Sequence, residues 1–177
     1  CGTTGNKFGF MKVGVNTGVF VNQLSGRVAN DLNNNCAVEL SETGLYYAKV
    51  TASNGLETFN SFADYNGNYQ LKLPSGDFTL SVQPNQPFFS LCPTADVVVS
   101  FPANANNTDT RDLPMQSAAL IHEISGTLYL DQNDNCLADV GEPPLKNWNI
   151  GIQASSGNLY LKTNSDGQYK AFVPDGI

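Results

Sequence analysis

The sequence is poor in charge and in long apolar runs, and each shortage excludes a class of function. Asp, Glu, Lys and Arg make up 14% of the 177 residues, and the net charge is −7. Nucleic-acid phosphates and anionic membrane surfaces attract basic faces, so neither is an expected partner. No apolar run approaches the roughly 20 residues of a membrane-spanning helix. The first residues lack the basic and apolar parts of a signal peptide, so we expect an internal piece of a longer protein.

Helical periodicity is also missing, and alternation at period two takes its place. Val50 and Ala52 alternate with polar residues, as do Leu71 and Leu73. Such alternation is typical of strands with one buried face. Asn-Gly at 66–67 and Asp-Gly at 166–167 are strong signals of tight hairpin turns. The sequence therefore predicts an all-β fold of small antiparallel β-sandwiches.

Two loops rich in Asn and Asp, at 31–42 and 131–142, repeat one another 100 positions apart. Both carry an oxygen side chain at loop positions one, three, five, nine and twelve, which is the ligand order of a twelve-residue calcium loop. Asn and Asp also suit plain turns, but agreement at all five positions of both loops favours calcium. The predicted calcium ligands are Asp31, Asn33, Asn35, Glu39 and Glu42 in the first loop and Asp131, Asn133, Asn135, Asp139 and Glu142 in the second.

Four cysteines in so polar a chain indicate an oxidising compartment. Cys36 and Cys92 are the only two in the first repeat, so we predict that they form a disulfide, which the chain-entropy model values at roughly 4 kcal/mol. By the 100-residue offset the partner of Cys136 lies beyond residue 177, and Cys1 belongs to a preceding copy. Reduced thiols are the alternative, and zinc is not expected because no two cysteines are close in sequence.

A cysteine at loop position six departs from the usual calcium loop, which has glycine there for a sharp turn. Cys36 and Cys136 occupy this position. Either the turn differs from the usual one, or a disulfide holds it.

The repeat divides the chain into three parts. Residues 1–22 are the expected tail of a preceding repeat with a linker, 23–116 a complete repeat, and 117–177 a second repeat truncated before its last strands. A truncated sandwich leaves an unpaired sheet edge and an open core, so the third part needs completion from outside. Trp148 stands at the inward register of its strand, so we expect it in the core.

The order of motifs resembles that of a known family. Ser-Gly at 25–26 and 125–126, the oxygen-rich loop, an alternating strand, Gly-x-Tyr and Pro-x-Gly are together similar to the B-type repeats of serine-aspartate-repeat adhesins, relatives of the collagen-adhesin B domain with its prealbumin-like, Ig-like sandwich. The resemblance covers 24–82 and 124–177. It implies a calcium-stiffened stalk module on the bacterial cell surface, with neighbouring repeats as partners and the ten loop residues as ligands.

Two other functions compete with a stalk. A glycan- or protein-binding adhesive module would use the aromatic rings of Tyr46, Tyr47, Phe88 and Phe89 beside turns. The counterparts of the two tyrosines at 146 and 147 are Lys and Asn, whereas a binding site shared by the modules would have aromatic rings in both. We therefore expect these rings to cover the ends of the sandwich. An enzyme is not expected, because a nucleophile needs a base and the one histidine, His122, has no counterpart in the other repeat.

Overall fold

A computed structural model describes residues 22–103, 106–154 and 157–175, which form thirteen strands and no helix. This confirms the all-β class, and none of the described residues belongs to a helix that could cross a membrane. Cys1 and the predicted tail lie outside the described residues, apart from Asn22. The strands are β1 (Asn22–Asn30), β2 (Lys49–Ser53), β3 (Thr58–Phe62), β4 (Asn68–Leu73), β5 (Gly76–Gln83), β6 (Phe89–Leu91), β7 (Val98–Phe101), β8 (Thr108–Thr110), β9 (Leu113–Ser117), β10 (Ile121–Thr127), β11 (Asn149–Ala154), β12 (Gly157–Lys162) and β13 (Gln168–Pro174).

Residues 22–117 form two sheets that face each other. One has the order β4-β1-β9-β6, with β8 also beside β1, and the other has the order β3-β2-β5-β7. Leu24 and Leu71 of the first sheet pack in one apolar cluster with Val50 and Phe78 of the second. All four are at most 4% exposed. Apolar residues on alternate positions of both sheets thus bury one face of each against the other.

The predicted alternation is confirmed most clearly in β4. Tyr69, Leu71 and Leu73 are buried, whereas Gln70 and Lys72 between them are exposed. In a strand, successive side chains point to opposite faces, so this pattern places β4 with one face on the core and one in solvent.

The first sheet is mixed rather than purely antiparallel, which corrects the expectation from sequence. Strand β1 pairs antiparallel with β4 but parallel with β8 and β9. The chain enters β8 from β7 of the opposite sheet. Because that connection crosses the sandwich and is not a hairpin from β1, it permits the parallel direction.

The turn at 64–67 is present, but it does not close a hairpin. Strand β3 pairs with β2 in one sheet and β4 pairs with β1 in the other, so the turn carries the chain between sheets. Asp64 stabilises it by accepting the backbone N–H groups of Asn66 at 2.8 Å and Asn68 at 2.9 Å. The Asn-Gly signal indicates the turn, but it does not specify which strands pair.

Residues 121–175 form two antiparallel pairs, β10 with β13 and β11 with β12. Their registers are those of β1 with β4 and β2 with β3 moved by 100 positions. Leu24 pairs with Leu71, and Ile124 pairs with Ala171. Within the described residues neither pair has the additional strands that flank β1 and β2, so much of this part is exposed.

Trp148 is 55% exposed, so the prediction of a core tryptophan is wrong. Its counterpart Ala48 is fully buried beneath the second sheet. Strand β2 has partners on both sides, whereas β11 pairs with β12 alone among the described strands. A two-stranded sheet provides too little neighbouring surface to cover an indole ring.

Replacing Gly67 tests how closely the turn at 64–67 packs. Gly67 has a φ of 85°, and an added Cβ would lie 2.3 Å from the carbonyl oxygen of Val28. Gly55 has a φ of 87° but nothing within 4 Å, so it is a matched control. We expect Gly55→Ala to lower the free energy of unfolding by about 1 to 2 kcal/mol through its positive φ. Gly67→Ala should cost at least about 1 kcal/mol more, because backbone must move. Equal losses in urea denaturation would contradict this close approach.

Candidate metal site

The backbone of the first loop turns sharply at two residues with positive φ. These are Asn34 at 57° and Cys36 at 62°, and in the second loop Asp134 and Cys136 have the same two values. Cys36 is in a disulfide with Cys92, as predicted, whereas Cys136 has no such bond among the described residues. The cysteine at loop position six therefore adopts the positive φ that normally requires glycine. Because both loops have this φ and only Cys36 is in a disulfide among the described residues, the disulfide does not cause it.

Carboxylates at the two ends of the first loop hold its backbone. Asp31 accepts the N–H groups of Asn35 at 3.1 Å and Cys36 at 2.9 Å. Glu42 accepts those of Leu32 at 2.9 Å and Glu39 at 3.0 Å. Asp31 is 2% exposed and Glu42 is 3% exposed. Buried carboxylates need partners of this kind, and the loop supplies them from its own backbone.

The two predicted asparagine ligands bridge the backbone and the third carboxylate. The Oδ1 of Asn33 accepts the N–H of Asn35 at 3.0 Å, and that of Asn35 accepts the N–H of Ala37 at 2.8 Å. Their Nδ2 groups donate to the carboxylate of Glu39 at 2.9 Å and 2.6 Å respectively. The five predicted side chains of this loop thus belong to one connected network.

The second loop contains the same eight donor and acceptor pairs, at 2.7 to 3.3 Å. One difference is that Asp139 uses a single oxygen for both asparagine amides, whereas Glu39 uses two. Asp131 and Glu142 are half-buried, less covered than their counterparts in the first loop. The two loops therefore share a geometry but differ in their surroundings.

Two side chains outside the first loop hold it in place by hydrogen bonds. The guanidinium of Arg27 donates to the carbonyls of Glu39, at 3.0 Å, and Glu42. The amide of Gln116 donates to Asp31 at 3.0 Å and also contacts the sulfur of Cys36. Sequence reasoning missed Arg27 and Gln116 as site residues. The only signal is that position 127 is Thr, so Arg27 is specific to the first loop.

Hydrogen bonding lowers the pKa of three loop carboxylates. Burial would raise the pKa of Asp31, but the hydrogen bonds from Gln116 and from backbone N–H groups outweigh it, and the pKa lies below its usual value. The N–H of Cys136 is the main cause of the lowered pKa of Asp131. The amides of Asn133 and Asn135 lower that of Asp139. Both loops are therefore anionic at neutral pH, as a calcium site requires.

The donor set fits a hard cation such as calcium, with one rearrangement. Among the described residues, the one cluster of three acidic or cysteine side chains within 4.8 Å is Asp31 with Cys36 and Cys92, whose sulfurs are bonded to each other. The carboxylates of the loop do not reach that spacing, because amide Nδ2 groups stand against Glu39. A cation requires oxygens there, so Asn33 and Asn35 must turn Oδ1 inward.

The aromatic residues proposed for the adhesive alternative do not form one surface. Phe89 is 5% exposed and belongs to the core cluster, whereas Phe88 is half-buried beside it. Tyr47 is 43% exposed and stacks on Phe62, which is 51% exposed, with ring centroids 4.8 Å apart. An open cleft of about 680 Å³ lies beside Phe62 and is lined largely by polar residues. Phe62 is a surface aromatic that sequence reasoning missed.

His122 contacts the carboxylate of Asp175 through its Nε2 atom, and both side chains are exposed. The imidazole therefore forms a surface ion pair when it is protonated.

No known protein family and no curated protein matches the sequence. Among solved structures, the Bacillus anthracis TIE protein is 18% identical, with a TM-score of 0.40 over 87% of this chain, which spans 26% of that protein. A DUF3823 family protein from Parabacteroides merdae is 10% identical, with a TM-score of 0.39 over 86% of this chain and 80% of its own. Another from Bacteroides ovatus is 14% identical, with a TM-score of 0.36 over 87% and 81%.

Removing the disulfide measures how much it contributes to the fold. Replacing Cys36 and Cys92 together by Ala opens a link across 56 residues, so we expect the free energy of unfolding to fall by roughly 4 kcal/mol. Cys136→Ala is the control and should change it by less than about 0.5 kcal/mol, because Cys136 is exposed and has no disulfide bond among the described residues. Urea denaturation without reductant gives both values. A double variant no less stable than the control would contradict the expectation.

Proposed function

We propose that this chain is a calcium-stiffened, disulfide-stapled pair of repeat modules that forms a stalk or spacer in a large bacterial surface protein. The observation that carries the proposal is the shared hydrogen-bond network of the two oxygen-rich loops. A plain turn needs one or two such bonds, whereas eight repeated pairs orient the same five side chains twice.

Matching strand registers support a tandem arrangement. β10 pairs with β13 and β11 with β12 at positions that correspond, residue for residue, to β1 with β4 and β2 with β3. The bridge between Ala29 and Gly44 recurs between Tyr129 and Pro144. In this proposal 23–116 is the complete module and 117–177 the beginning of the next. Strands like β5 to β9 would complete the second module.

Calcium would cross-link the loop that joins the first two strands of each module. Asp31, Asn33, Asn35 and Glu39 would each give one oxygen, and Glu42, at position twelve, would give two. The corresponding ligands in the second module are Asp131, Asn133, Asn135, Asp139 and Glu142. In both loops the backbone bonds to the end carboxylates already hold the curl, so binding mainly reorients the asparagine amides.

Calcium and the disulfide are expected to stabilise the fold by different amounts. Extracellular calcium modules bind at about 0.1 to 1 mM, so millimolar calcium would add only about 1 kcal/mol through mass action. The disulfide adds roughly 4 kcal/mol. Calcium therefore stiffens a loop in a fold that the covalent link and the core already stabilise.

The proposed location is extracellular, on a bacterial cell surface. The Cys36–Cys92 disulfide is typical of proteins in an oxidising compartment. Neighbouring repeats of the same protein are the expected partners, with a host or surface glycan or protein as a further candidate. The proposal gives the chain no catalytic role.

Calcium titration of the whole chain tests the proposal. We expect isothermal calorimetry to find two calcium ions per chain and the melting temperature to be higher in calcium than in chelator. Asp31→Ala should remove one ion and Asp131→Ala the other, because each removes the first ligand of one loop. Glu57→Ala, at an exposed position outside both loops, is the control and should keep both. Equal melting temperatures in calcium and chelator, without binding heat, would reject calcium and leave the loops as plain turns.

The exposed stacked rings of Tyr47 and Phe62 favour a second candidate, a glycan-binding module. The polar cleft beside Phe62 would supply hydrogen bonds to a sugar stacked on the rings. We expect Tyr47→Ala with Phe62→Ala to abolish binding on a glycan array. Trp148→Ala, which removes another exposed ring, should not. An array without binding by the unaltered chain, or equal binding by the double variant, would reject this candidate.

A further inference from the structure

Strand β13 is buried on both faces, although it belongs to a two-stranded sheet. Lys170, Ala171, Phe172 and Val173 are consecutive and each is at most 8% exposed. Successive residues of a strand face opposite ways, so one face of β13 packs within its own module and the other must contact something else.

The additional contact is with residues 22–117. The ring of Phe172 meets that of Phe89 edge to face, with centroids 5.4 Å apart, and Phe172 belongs to the core cluster of that sandwich. The ammonium group of Lys170 lies 4.6 Å from the centre of the Tyr65 ring. Phe172 and Lys170 are two positions apart, so they share the face of β13 that docks on the preceding module.

The charge of Lys170 is buried at this contact. Burial lowers its pKa, the carboxylates of Glu123 and Asp64 oppose that shift, and the charge of Arg27 adds to it. Burial and Glu123 both raise the pKa of Tyr65. A cation over an aromatic ring is stabilised most where water is excluded. The interface therefore combines an apolar contact with one charged contact.

The docking residues differ between the two modules. Strand β4 has Gln70 and Lys72 where β13 has Lys170 and Phe172, and both residues of β4 are exposed. The position of Tyr65 becomes Ser165 in the second module. The docking face of β13 therefore has no equivalent on β4, and the second module lacks the ring that would receive a third module in the same way.

We propose that the outer face of β13 is a docking surface for the preceding module. The partner it fits is a module that offers Tyr65 and Phe89, and the contact fixes the order and relative orientation of the two. It does not use the calcium loops, so it goes beyond the calcium proposal and holds whether or not the loops bind metal.

Nuclear magnetic resonance of the whole chain tests this docking. Residual dipolar couplings from 22–117 and from 121–175 should fit one alignment tensor, in calcium and in chelator. Lys170→Gln with Phe172→Lys gives β13 the residues of β4, and the couplings should then require two tensors. Tyr65→Ser alters only residues 22–117 and leaves β13 unchanged, and it should also weaken the shared alignment. A loss of alignment in this variant could not be caused by unfolding of β13.

The control is Lys146→Gln with Trp148→Lys, which makes the same kinds of change at two exposed positions outside β13. It should leave one tensor. Two tensors in the unaltered chain would overturn the proposal, as would a single tensor that survives both interface variants. A tensor shared only in calcium would show that the loops, and not β13, set the orientation. Calorimetry of calcium binding is a separate readout, so its failure would leave this result standing.

Discussion

The covalent link between Cys36 and Cys92 is the constraint that fixes the first oxygen-rich loop to the sheets of residues 22–117. It ties the tip of an oxygen-rich loop to the residue that follows β6, and the N–H of Cys92 bonds to the carbonyl of Pro114 in β9. Because β9 also presents Gln116 to Asp31, the loop is held against the sheet edge at two points. Asp31 is buried there, whereas its counterpart Asp131, in a loop without a disulfide among the described residues, is half-buried.

Holding the loop rigid has an electrostatic cost. Arg27 joins the loop to the turn between the sheets, because its guanidinium also bonds to the carbonyl of Asn66 at 3.0 Å. Its positive charge lies against backbone carbonyls of the loop and opposes a cation bound there. The second loop has no such arginine at the corresponding position, since position 127 is Thr. The first loop therefore combines an arginine with buried end carboxylates, whereas the end carboxylates of the second loop are half-buried.

Sequence patterns predicted those features that depend on local geometry. Alternation in β4 identifies its buried face, and the loop spacing identifies five side chains that form one network. The patterns could not predict which sheet a strand joins, because alternation reports a buried face and not its partner. The strand pairing on either side of the turn at 64–67 and the parallel pairing of β1 were missed for that reason. The strand register predicts which face Trp148 occupies, but it does not predict how many strands cover that face, and Trp148 is exposed.

Comparison of residues 22–117 with residues 121–175 carries information that neither part contains alone. Positions whose oxygen side chains agree, as in the two loops, build the same local network, so they reveal nothing about how the two parts meet. The change from Lys72 to Phe172 takes a solvated charge to a buried ring at the same register. An exposed phenylalanine would gain nothing by replacing lysine on a solvent face, whereas a contact with Phe89 stabilises it. Residues 121–175, which form only two strand pairs among the described residues, are therefore stabilised by contact with residues 22–117. The divergent positions of β13 identify the face that makes this contact.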